Sequence, residues 1–163
     1  MREQHMGEQV GLKARIRADL TAAMKARDTE VKDTLRMALA AIMTAEVAGP
    51  TAKDLTDEEI VAVLGKEVKK RHESADIYRG ASRDELADKE ISEAEVISKY
   101  LPAQLSDDDL AAIVQAEFAG MTSPSGDAPS MKQMGLLIKA VKEKTGARAE
   151  GSRVAAAVKA ALA

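Results

Sequence analysis

Cysteine and tryptophan are both absent from the 163 residues. Without a thiol the chain has no disulfide, no thiolate metal site and no cysteine nucleophile. Aromatic residues are reduced to Tyr78, Tyr100 and Phe118, too few for the stacking platform that grips single-stranded bases. Long apolar runs are missing too: no stretch approaches the ~20 residues a membrane span needs. The first twenty positions, MREQHMGEQVGLKARIRADL, are charged throughout and carry no signal-type apolar segment. The expected location is therefore cytoplasmic, with no membrane partner. Met1 to His5 shows no helical pattern, which leaves Met6 as an alternative start.

What is abundant is Ala, Leu, Glu, Lys and Met, the composition of helices rather than strands. Periodicity agrees, and the spacing predicts seven helices. Leu12, Ile16, Leu20, Ala23 and Met24 form the first apolar stripe. Asp28 or Thr29 caps a second helix carrying Val31, Leu35, Ala38, Leu39 and Ile42, stopped by Gly49-Pro50. Thr56 with Glu59 and Ser82 with Glu85 fit the capping box, and Ser106 with Asp109 is a close variant. The third helix presents Ile60, Val63, Leu64 and Val68 and ends at Gly80. The fourth presents Leu86, Glu90, Ala94, Ile97 and Leu101. Pro102 lacks an amide hydrogen and biases Leu101 away from helix, so it marks the boundary between residues 1–101 and 102–163. Beyond it, Leu110, Ile113, Val114 and Phe118 form a fifth stripe, and Gly120 to Pro129 reads as an exposed, mobile loop. Ser130 with Gln133 opens a sixth helix bearing Met134, Leu137, Ile138 and Val141, closed by Gly146. Val154, Val158 and Leu162 mark the last. The fold class is all-α, a four-helix N-terminal part followed by a small three-helix part.

Patterns that mimic catalytic sites fail on geometry. Gly146 to Arg153 has the Gly-x4-Gly spacing of a phosphate loop but lacks its lysine and follows a helix rather than a strand. His72, Ser74 and Asp76 share one helix, and two-residue steps turn each about 200° from the next. His72 has no second histidine to form a metal pair, since His5 lies far away in the N-terminal tail. Asp107-Asp108-Asp109 lacks the alternation and glycine of a calcium loop and suits a helix start. No catalytic residue, metal ligand or cofactor is expected. The run Lys69-Lys70-Arg71 lies within reach of Glu67, Glu73 and Asp76, which favours a self-neutralising face over a secondary RNA patch.

Net charge is −3, but its distribution is uneven. From Met131 to Ala163 seven cations face only Glu143 and Glu150, giving +5. Asp107, Asp108, Asp109, Glu117 and Asp127 cancel this over the C-terminal part as a whole, so any anion-binding property belongs to one face. Lys132, Lys139 and Lys142 are spaced to share a helix face away from Leu137 and Ile138. Arg148 and Arg153 bracket the turn into the last helix, whose free amides at Gly151 and Ser152 would suit a phosphate. These seven residues are the candidate nucleic-acid-binding set. The plainer alternative gives the lysines only a role near a helix C-terminus and the glycines only a turn.

Several segments, taken together, carry a family resemblance. LRMALAAIMTAE (Leu35 to Glu46), the stretch from Lys66 to Leu110, and the pieces MKQMG and RAEG resemble the YqeY family, most specifically at Lys-Tyr-Leu-Pro-Ala-Gln-Leu-Ser (Lys99 to Ser106). The tail is similar to the C-terminal domain of the GatB subunit of tRNA-dependent amidotransferases. The resemblance implies an all-α two-part fold and a tail that touches tRNA. It also implies association with glutamine-dependent carbon–nitrogen ligase activity, which belongs to the multi-subunit enzyme. The tail departs from the family pattern in having Leu136 after Met134-Gly135 and Ser152 after Gly151, both commonly lysine. The reading is a non-catalytic helical protein that binds tRNA through its C-terminal part. The alternatives are an adaptor that docks on an amidotransferase or another translation-linked enzyme, and an accessory component of the ligase with glutamine as amido donor.

Overall fold

The computed structural model describes residues 11–163, so the expectations for Met1 to His5, for Met6 and for His5 lie outside it. Among the described residues there are seven α-helices and no strand. Their contacts divide the chain into a unit ending at Leu101 and a second unit, Pro102–Ala163.

The first unit contains α1 (Leu12–Ala26), α2 (Thr29–Glu46), α3 (Asp57–Gly80) and α4 (Asp84–Ser98). Leu12 and Ile16 pack with Leu35, Ala38, Ile42, Ile60, Leu64 and Ile97 in one apolar core. The α1–α2 turn is tight because Arg27 takes a left-handed φ of 56° while Asp28 accepts the Val31 amide. Gly11 gives α1 no side-chain cap, and Asp57 from the start of α3 supplies one by accepting the Leu12 amide at 3.1 Å. Thr56 caps α3 by accepting the Glu59 amide. Glu59 reaches back in turn, one carboxylate oxygen accepting from the Thr56 hydroxyl at 3.3 Å while the other pairs with Lys53 at 3.2 Å. Ser82 is not a cap: it sits at φ 58° in the turn after α3, and Arg83 occupies the N-cap of α4 without a side-chain bond. The expected stripe of α4 holds at Ala94 and Ile97, both fully buried, and at Leu101, packed on the core just beyond the helix, but at its start Ala87 is buried and Leu86 is 39% exposed. Small residues at Ala75, Ala87 and Ala94, all fully buried, let α3 and α4 pack closely.

Arg71 ties three of these helices together. Its Nη1 donates to the Glu67 carbonyl and, at 2.7 Å, to the Glu67 carboxylate; its Nε reaches Glu93 of α4 at 3.4 Å; its Nη2 meets the Met37 sulfur of α2. Lys70 also reaches Glu67 at 3.3 Å, so Glu67 neutralises the run as its spacing suggests, and Arg71, only 8% exposed, turns its pair into the core. Tyr100 anchors the end of the unit, donating its hydroxyl to Asp19 with its ring under the Arg15 guanidinium. Burial and the neighbouring Asp19 push its pKa up, outweighing Arg15.

The second unit contains α5 (Asp107–Met121), α6 (Met134–Thr145) and α7 (Gly151–Leu162) around Leu110, Val114, Leu137, Val141, Val154 and Val158. Ser106 caps α5 by accepting the Asp109 amide. Ser130 and Gln133 form a reciprocal capping box on a 3-10 turn, Met131–Gln133, that leads into α6. Gly146 stops α6 at a positive φ of 53°, a conformation only glycine adopts cheaply. Gly120 and Met121 belong to α5, so the loop is shorter than expected; Ser123, Ser125 and Asp127 hydrogen-bond across it and Pro129 is buried.

Burial is the largest influence on Glu67 and opposes its ionisation, but the hydrogen bonds and charges of Arg71 and Lys70 together hold its carboxyl below the usual 4.5. A depressed carboxylate contributes stability above its ordinary pKa and loses it as pH falls through the lowered value. Arg71→Met should therefore cost about 3 kcal/mol at neutral pH, because Glu67 and Glu93 are left uncompensated. In urea titrations that deficit should narrow as pH falls through the carboxylate range; a pH-independent deficit would contradict the ion-pair account.

Candidate nucleic-acid interface

The inward stripe of α6, Leu137 and Val141, turns Lys139 and Lys142 outward, and both are exposed. Lys132 is exposed as well but lies on the 3-10 turn before α6, so its spacing to Lys139 crosses a helix junction. Among the described residues Lys132, Lys139, Lys142, Lys144 and Lys159 form no ion pair. Their charge is available to solvent or to a partner.

The two arginines behave differently. Arg148 folds back on the end of α6, where Nη2 donates to the Lys144 carbonyl at 2.8 Å and Nε to the Thr145 carbonyl at 3.3 Å. Arg153 points to the start of α5, its Nη2 donating to the Leu105 carbonyl and to Asp107, each at 2.8 Å. Both guanidinium groups thus serve the chain's own acceptors. The cation next to the first turn of α7 is Lys142, whose Nζ lies 3.5 Å from where a Cβ on Gly151 would stand. Ser152 is exposed beside it, and Glu150 occupies the N-cap without a side-chain bond.

Sequence reasoning missed the brace under this turn. The Leu105 amide donates to the Arg148 carbonyl at 2.7 Å, and Gln104 Nε2 donates to the Ala147 carbonyl at 2.9 Å. Five residues of the distinctive Lys99 to Ser106 segment accordingly have structural duties. Tyr100 and Leu101 pack into the first unit's core, while Gln104, Leu105 and Ser106 hold the second unit's turn and helix start. The signal available in sequence was the specificity of that segment itself.

Elsewhere, His72, Ser74 and Asp76 lie along α3, with His72 and Asp76 exposed and Ser74 half-buried. Among the described residues no cluster of His, Asp or Glu has the geometry to hold a metal. A groove of about 920 Å³ between α2 and α4 is lined by Glu30, Asp33, Met37, Glu85, Asp88 and Glu93 among others. Its charge has the wrong sign for a polyanion.

The family model described as Yqey-like protein matches residues 13–162, and the chain belongs to that family. An uncharacterized protein of Schizosaccharomyces pombe is 36% identical over 96 residues, covering 58% of this chain and 76% of that protein. Two fungal proteins named altered inheritance of mitochondria protein 41, mitochondrial, are similar as well. The one from Clavispora lusitaniae is 38% identical over 86 residues, 53% of this chain and 49% of its own length. The one from Eremothecium gossypii is 33% identical over 121 residues, 73% of this chain and 66% of its own. The chain therefore spans about half to two-thirds of those two. Their names place them in mitochondria and lend no support to the cytoplasmic expectation; among the described residues no helix is long and apolar enough to cross a membrane.

The hydrogen bonds separate braces from free charges. Arg153→Ala should lower stability by about 1–3 kcal/mol, the range for a lost charge-assisted bond that leaves a carbonyl unpaired. Lys139→Ala should stay within about 0.5 kcal/mol of the native chain. Thermal unfolding of both variants checks this, and equal effects would contradict the distinction.

Proposed function

We propose that this member of the Yqey-like family is a helical accessory protein of translation, without catalysis of its own, that takes tRNA on the lysine face of α6 and the adjoining first turn of α7. The observation that carries the reading is the set of unpaired lysines, Lys132, Lys139 and Lys142, beside two arginines that are both tied to the chain's own acceptors. Lys142 beside Gly151 supports it further, because an ammonium next to a helix start suits a phosphate. Arg148 and Arg153 enter as the groups that hold the turn in shape, with Ser152 within reach of the same phosphate. Binding of this kind is modest and directed at backbone and shape.

A second reading is favoured by a different observation. The acidic α2–α4 groove, with Met37 40% exposed within it, suits an adaptor that docks on an amidotransferase or another translation-linked enzyme. An accessory role in carbon–nitrogen ligation with glutamine as amido donor would pass through such docking.

Gel shift with total tRNA between about 50 and 200 mM salt tests the first reading. With two to four phosphate contacts, log K should fall against log salt at about −0.7 to −0.9 per contact. The double reversal Lys139→Glu with Lys142→Glu should weaken binding about tenfold or more and flatten that slope by about one to two. No binding at low salt, or a double reversal without effect, would contradict it. Stoichiometric recovery of a known amidotransferase without RNA, abolished by charge reversal at Glu30 and Glu85, would establish the second instead.

A further inference from the structure

Leu136 does not follow the logic of its helix. Its neighbours Leu137, Ile138 and Val141 pack into the second unit's core, whereas Leu136 is 63% exposed. On α6 it lies three residues before Lys139, so the two share a face, and it follows Lys132 of the preceding 3-10 turn by four residues; among the described residues neither lysine has an ionic partner. The adjacent Gly135 is exposed, and a Cβ there would meet nothing within 4 Å. The chain's own packing does not require glycine at that place, and helix propensity favours alanine. A bare patch of helix backbone thus adjoins an exposed leucine flanked by positive charge.

A continuous RNA duplex offers such a surface only phosphates and 2′-hydroxyls, with its base faces stacked away. A base splayed out of a loop offers an apolar face with phosphates on either side, which matches cation–apolar–cation. One leucine is too little for a bilayer. Resting on the RNA reading above, we propose that Leu136 and the helix surface at Gly135 seat an unstacked base, so that α6 takes RNA with accessible loop bases in preference to continuous duplex.

The test is fluorescence anisotropy of the full chain with three labelled RNAs: a hairpin, the same hairpin with abasic loop nucleotides, and a blunt duplex of matched phosphate number. The abasic loop keeps the phosphates and removes the bases. The base-bearing hairpin should bind about fivefold tighter than the other two, the fold-change expected from partial burial of one leucine. Leu136→Ser should erase that difference while leaving abasic and duplex binding unchanged. Gly135→Ala should keep or raise the thermal midpoint yet reduce hairpin binding, an effect that instability cannot produce. Equal binding of the hairpin and its abasic form, or a uniform loss with Leu136→Ser, would overturn the inference alone and leave Leu136 to a protein partner. Absence of binding to all three at about 50 mM salt would overturn the RNA reading and this inference together.

Discussion

The second unit is organised by the side chain of Gln104 and the backbone of Leu105. These residues reach across to the carbonyls of Ala147 and Arg148, and the Leu105 carbonyl in turn receives Arg153. The three bonds fix the end of α6, the start of α7 and the approach to α5 in a single knot. Gly146 makes the knot sterically possible, since only a residue free at positive φ leaves α6 that sharply. Once the turn is closed, the apolar stripes of α6 and α7 meet in the core and the lysines of α6 have nowhere to go but outward. The basic face is thus a consequence of the brace. Arginines suit the brace because a planar fork with several donors can satisfy two acceptors at once, which a lysine ammonium does less selectively.

The first unit solves a related problem with one buried cation. Arg71 satisfies Glu67 on its own helix and Glu93 on the next, and it lies against Met37 on a third. A network of this kind contributes little net free energy compared with an apolar core, but losing one partner leaves the others buried and uncompensated. It therefore fixes which faces of α2, α3 and α4 meet. Tyr100 plays the corresponding part at the end of the unit, as a neutral hydroxyl held by Asp19 and an aromatic face under Arg15. That accounts physically for a tyrosine immediately before Leu101-Pro102.

Local signals were legible in the sequence, and long-range ones were not. Thr56, Ser106 and Ser130 were readable as caps because a cap is a three-residue affair. Ser82 has the same pattern, yet the turn after α3 places it at positive φ, which no spacing rule reveals. Leu86 belongs to the expected stripe of α4 but gives way to Ala87, because close packing against α3 selects small residues over large ones. The burial of Arg71 depends on Glu93, 22 residues away, while the sequence shows only its neighbours. At the candidate site Lys139 and Lys142 could be placed by helical spacing alone, whereas Lys132 falls on the 3-10 turn before α6. The partners of Arg148 and Arg153 could not be foreseen, because those at Lys144, Thr145 and Leu105 are backbone carbonyls that carry no sequence signature and Asp107 lies 46 residues from Arg153. In the sequence Leu136 stands out only as a departure from the family pattern; its exposure is a property of the folded helix.

The proposed RNA site is the outward face of α6, held in shape by braces that do not themselves bind. Amide chemical-shift mapping of the isotopically labelled chain during titration with tRNA tests this most directly. Shifts should concentrate at Lys132, Gly135, Leu136, Lys139, Lys142 and the Gly151–Ser152 turn, with the α2–α4 groove silent. Shifts centred on Met37, Glu85 and Glu93, or none anywhere at low salt, would contradict it.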